Sequence, residues 1–97
     1  MAKTTLMLRP DACPRSKPGV LCKDLGDEFL FYDTDREMVH VLNATAREIY
    51  RMCDGNLSVS ELVRVFLERY EVDDQTARQD IAETLDRLLE IGLIKLA

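Results

Sequence analysis

The side chains that could do chemistry are few. His40 is the one histidine, and the thiols are Cys13, Cys22 and Cys53. An imidazole acts as a general base when a nucleophile or an orienting carboxylate stands beside it. His40 instead sits between Val39 and Val41, and it reads as a partly exposed strand residue. Three widely spaced cysteines make neither a CxxC knuckle nor an even disulfide framework. With His40 they do not supply the three or four clustered donors that zinc requires, so they read as free thiols. Asp33, Asp35 and Glu37 alternate, but the glycine and closing glutamate of a calcium loop are missing, and the cluster reads as a solvated turn. Gly19, Gly26, Gly55 and Gly92 stand singly, so no phosphate-cradling loop is formed. The expectation is a chain without catalytic residues, metal or cofactor, whose work is binding.

Charge narrows the partner. The net charge is −5. Residues 1–24 hold five basic and two acidic groups and carry +3, so residues 25–97 carry −8. An acidic body repels nucleic acid and anionic membrane and suits a basic or apolar partner. No apolar run approaches the roughly 18 residues of a membrane span. Thr4–Leu8 is too short for a signal-peptide core and is cut off by Arg9-Pro10, which points to a cytoplasmic protein.

The elements that must position a binding surface can be read from periodicity. A chain of 97 residues holds one domain with one core. Residues 1–19 contain all three prolines, Pro10, Pro14 and Pro18, and read as an extended N-terminal arm with a short strand within Leu6–Arg9. Residues 20–97 form the domain proper. Val20–Leu25, a Gly26-Asp27 turn and Glu28–Tyr32 make a hairpin, and Glu37–Leu42 follows as a third strand. Asn43 caps a first helix over Ala44–Asp54, with Ala46, Ile49, Tyr50 and Cys53 inward and Gly55 as its left-handed terminator. Ser58 and Glu61 spell a capping box for a second helix over Val59–Tyr70. Asp73 caps a third over Asp74–Ile91, which Gly92 ends, and Leu93–Leu96 closes the chain as a short strand. The predicted fold is α+β and winged-helix-like, an N-terminal three-stranded antiparallel sheet followed by a three-helix bundle.

Winged helices often bind DNA, so a transcription regulator is the alternative function. A recognition helix must neutralise phosphates. Helix three carries Arg78 and Arg87 against Asp74, Asp80, Glu83, Asp86 and Glu90, a net of −3, and helix two balances at zero. Neither has a basic face. Glu83–Arg87 and Glu48–Arg51 read as surface pairs at helical spacing.

Strand three offers a different use. A sheet edge is a row of unpaired N–H and C=O groups, usually guarded by proline or charge. Met38, Val39, His40, Val41 and Leu42 include neither, so this edge could accept a peptide as an added strand. On helix three, Ala77, Ile81 and Leu88 suffice for the core, while Ala82, Leu85 and Leu89 widen the apolar stripe along the line of Arg78. Spacing alone favours a wide core-facing stripe over an apolar groove beside strand three. An exposed apolar edge also permits a homodimer or exchanged strands.

The segment Leu42-Asn43-Ala44-Thr45-Ala46, followed by Ile49 and Cys53-Asp54-Gly55, resembles the signature of the PqqD family. Ser58-Val59-Ser60-Glu61-Leu62, Tyr70, Asp80-Ile81, Leu85, Leu88-Leu89 and Gly92-Leu93-Ile94 follow in the same order, with Pro14-Arg15 and Pro18-Gly19 upstream, so the resemblance covers about residues 14–96. It implies a peptide-recognition element in ribosomal peptide natural-product biosynthesis. Such a domain holds the leader of a precursor peptide and presents it to a modifying enzyme, often a radical S-adenosylmethionine (SAM) enzyme. It also implies a site: the peptide adds to Met38, Val39, His40, Val41 and Leu42 and packs on Arg78, Ile81, Ala82, Leu85 and Leu89. Tyr32–Glu37 departs from the Pro-Glu-Gly turn of the pyrroloquinoline quinone (PQQ) pathway members, so the expected peptide is that of PQQ biosynthesis or of a related pathway.

Overall fold

The computed structural model describes residues 9–96. Its elements run β1 (Pro14–Ser16), β2 (Val20–Asp24), β3 (Glu28–Asp33), β4 (Met38–Asn43), α1 (Ala44–Arg51), α2 (Val59–Arg69), α3 (Asp74–Glu90) and β5 (Ile94–Leu96). The fold is α+β. An antiparallel sheet in the order β2-β3-β4 lies mid-chain, and β1 pairs with β5 in a second, two-stranded ribbon.

That ribbon corrects the expectation of a purely N-terminal sheet. Within the proline-rich arm, Pro14, Arg15 and Ser16 stand opposite Leu96, Lys95 and Ile94. A proline is tolerated as the first residue of a strand, where its missing N–H is not needed, and Pro14 still offers its C=O to Gly55 N–H at 2.9 Å. The arm also serves α2: the carbonyls of Ala12 and Pro10 accept from Val59 and Ser60 N–H, donors that a helix start leaves unsatisfied. The strand expected within Leu6–Arg9 falls on residues 6–8, which lie outside the described residues, and on Arg9, which is not in a strand.

The helix starts follow their caps. Asn43 Oδ1 accepts from Ala46 N–H at 2.8 Å, Ser58 and Glu61 form the reciprocal box, and Asp73 Oδ1 accepts from Thr76 N–H at 2.7 Å. The end of α1 differs from expectation. The helix stops at Arg51 because Cys53 and Asp54 leave it to meet β1: Ser16 N–H donates to Cys53 C=O at 2.8 Å, and Asp54 bridges Arg15. Gly55 does take a positive φ of 85°, but in the turn after this bridge.

Period-two alternation in β3 buries Phe29, Phe31 and Asp33 on the inner face. There the two rings meet a core built from Ile49 of α1, Leu62 and Phe66 of α2, and Ala77, Ile81, Leu85 and Leu88 of α3. Asp33 was expected in a solvated turn, and its full burial corrects that. Its carboxylate accepts from Lys17 Nζ at 2.8 Å and from the Asp35 and Arg36 amides at 3.1 and 3.2 Å. The contact ties the arm to the β3–β4 turn.

The Lys17 hydrogen bond, helped by the two amides, outweighs burial and holds the Asp33 carboxyl below its ordinary 3.8. A carboxyl whose folded value is depressed stabilises the fold above its unfolded value, and that contribution fades as pH falls through the folded one. Urea midpoints are therefore expected to drop as pH falls below 3.8, and to drop less in Asp33→Asn, which has no charge to lose. Identical pH profiles for the two proteins would show that the pair contributes nothing.

Candidate functional site

The backbone of the sheet decides which groups are free at its edge. Leu25 N–H donates to Glu28 C=O at 2.8 Å and Thr34 N–H donates to Gly19 C=O at 3.1 Å. Even-numbered residues of β3 therefore turn their backbone groups toward β2. In an antiparallel ladder both groups of a residue point the same way, and the side alternates along the strand. Odd-numbered Phe29, Phe31 and Asp33 then face β4, opposite Leu42, His40 and Met38. It follows that Val39 and Val41 send their N–H and C=O outward, across an edge that no strand covers among the described residues. Their side chains point to the outer sheet face and are 54% and 44% exposed.

Beside this edge runs an open cleft of about 440 Å³. One wall is the end of β4 and the start of α1, with Val41, Leu42, Thr45 and Ala46; the other is α3, with Asp80, Glu83, Thr84 and Arg87. The residues of α3 recur at i, i+3, i+4 and i+7, which marks one flank of the helix.

The structure distributes the expected site residues as follows. Met38, Val39 and Val41 are exposed on β4, His40 is half-buried on the inner face and Leu42 belongs to the core. From α3, Ile81 and Leu85 are fully buried core residues. Arg78, Ala82 and Leu89 do not line the cleft beside β4. They project from the other flank of the helix, where Arg78 donates to Asp74 at 2.6 Å and Leu89 borders a separate hollow with Lys17, Pro18 and Arg36. Sequence reasoning missed Asp80, Glu83, Thr84 and Arg87 because it sought apolar residues for a groove. The available signal was their own helical spacing on the polar side of the core stripe.

Burial pushes the Cys53 thiol up to about 12, so it stays protonated and unreactive at neutral pH. Among the described residues, no three His, Cys, Asp or Glu side chains gather to hold a metal ion. His40 Nε2 is buried without a hydrogen-bond partner among the described residues. Among the described residues, no helix is long and apolar enough to cross a membrane. Of the two pairs expected on helix surfaces, Glu48–Arg51 forms at 3.9 Å, whereas Glu83 and Arg87 are not paired. Glu48 also accepts from Arg69 at 3.0 Å, and Arg47 lies 4.5 Å over the Phe29 ring.

The family model described as "Coenzyme PQQ synthesis protein D (PqqD)" matches residues 28–94, from the start of β3 to the start of β5. Among solved structures, "Lasso peptide synthetase B1 complexed with the leader peptide" superposes with a TM-score of 0.71 at 24% identity, covering 87% of this chain and 99% of that one. "TbiB1 in Complex with the TbiA(beta) Leader Peptide" gives 0.69 at 20% identity, covering 84% and 94%. At these identities the likeness is one of fold. No curated protein sequence is matched.

Proposed function

From the premise that this chain belongs to the PqqD family, we propose that it binds the leader of a ribosomally made precursor peptide as a fourth strand on β4. The carrying observation is the unguarded outer edge of β4, where Val39 and Val41 offer their backbone groups beside a cleft walled by α3. Strand addition draws affinity from main-chain pairing, which tolerates many sequences, and choice from side-chain pockets. The two leader-peptide complexes of similar fold support the reading.

In this reading the chain is a non-catalytic, cytoplasmic presenter with a winged-helix-like body. It hands the bound leader to a modifying enzyme, of the radical SAM class or another, in PQQ or a related peptide pathway. The proline-rich arm, residues 1–19, precedes a peptide-recognition domain over residues 20–97. The same edge could pair two copies when no leader is present.

An amide-resolved NMR titration with the short precursor peptide encoded beside the gene tests the binding step. The expected result is saturable shift changes at Val39, Val41, Thr84 and Arg87, with α2 unmoved. Absence of binding at about 50 µM, a weak affinity for such a contact, would overturn it.

A further inference from the structure

The charges on the α3 wall are ordered. Asp80 and Glu83 lie toward the helix N-terminus and Arg87 one turn further on, with Thr84 between. Asp80 and Thr84 are half-buried, and Glu83 and Arg87 exposed. Neighbours on this helix pair readily: Arg78 closes on Asp74 four residues back at 2.6 Å. Glu83 and Arg87 have the same spacing and do not close, and neither Asp80 nor Arg87 has an ion-pair partner among the described residues. Glu83 accepts from the Gln79 amide at 3.2 Å, which leaves its charge uncompensated. The cleft therefore presents a negative half and a positive half to whatever lies along β4.

Geometry converts that order into a sequence rule. Four helical residues rise about 6 Å. Two residues of an extended strand advance about 6.8 Å, and side chains two apart share a face. Where a strand added at the end of β4 runs along the α3 wall of the cleft, the spacing of two successive inward side chains matches that of Glu83 and Arg87.

We propose that the cleft selects leaders by an opposite-charge pair spaced two residues apart, a basic side chain against Asp80 and Glu83 and an acidic one against Arg87. This rests on strand addition at β4 and adds a specificity to it. Because the wall has one polarity and the guest strand one direction, a single order of the pair is favoured. Charge complementarity of this kind chooses partners and register more than it adds affinity.

The test is display selection of a random dodecapeptide library on the immobilised full chain, repeated with Arg87→Glu. The wild type is expected to enrich a basic and an acidic residue two positions apart in one order, by about tenfold over the reversed order. Arg87→Glu should replace the acidic preference by a basic one, with an unchanged circular dichroism spectrum. Extended, β-prone peptides enriched with no charge order would overturn the selection rule and leave strand addition standing. No enrichment over a protein-free surface would overturn both.

Discussion

Leu85→Asp is expected to abolish the cooperative unfolding transition, leaving a chain that is unfolded or molten at room temperature. Leu85 has no exposed surface and lies between Ile81 and Leu88 on the face of α3 that meets the sheet and the other helices. Removing a buried leucine side chain costs about 2–5 kcal/mol by itself. A carboxylate in its place must either stay charged without a partner or take up a proton, and each adds a further penalty. Against a total stability of about 5–15 kcal/mol for a domain of this kind, the sum leaves little or nothing. Leu85→Met, which keeps the volume, should cost less than about 1.5 kcal/mol. Thr84→Asp, one residue away but on the cleft flank, should keep the fold. Urea titrations followed by circular dichroism separate the three. A near-native transition in Leu85→Asp would mean that α3 is rotated from the orientation described.

Methylating two alternate backbone amides of a bound leader should weaken it roughly a hundredfold, and moving both methyls by one residue should restore most of the affinity. Val39 and Val41 each present one N–H and one C=O at the open edge, so a strand added there would be held by bonds from alternate residues only. Each such bond contributes about 0.5–1.5 kcal/mol net. Losing two therefore costs about 1–3 kcal/mol, and the methyl groups add a steric clash with the edge. Shifted by one residue, they point away from β4. Calorimetric titration of the two methylated peptides against the unmodified one reads the difference directly. Equal weakening by both patterns would count against main-chain pairing and would favour recognition by side chains alone.

Much of this could be read from local sequence. The caps Asn43, Ser58 and Asp73 named the helix starts because each acts through a hydrogen bond within three residues. The strands of the sheet showed as apolar alternation bounded by turns, and the bare run Met38–Leu42 marked a margin without proline or charge. What stayed hidden depends on partners far along the chain. Pro14–Ser16 became a strand only because Ile94–Leu96 returned to it, and the last turn expected in α1 was lost to the same ribbon. Asp33 looked like a turn acid until Lys17, sixteen residues away, reached it.

The amino-acid sequence by itself determined the helix starts, the three-stranded meander and the absence of a charged guard on β4. Those follow from short-range periodicity and capping, which a linear reading carries in full. Only the tertiary structure decided which flank of α3 faces β4. Helical spacing does not say which flank of a core stripe meets the sheet edge; apolarity pointed to Ala82 and Leu89, whereas Asp80, Thr84 and Arg87 line the cleft. The rotation that buries Leu85 and turns the charged flank toward the cleft is set by packing against α1, α2 and the sheet at once.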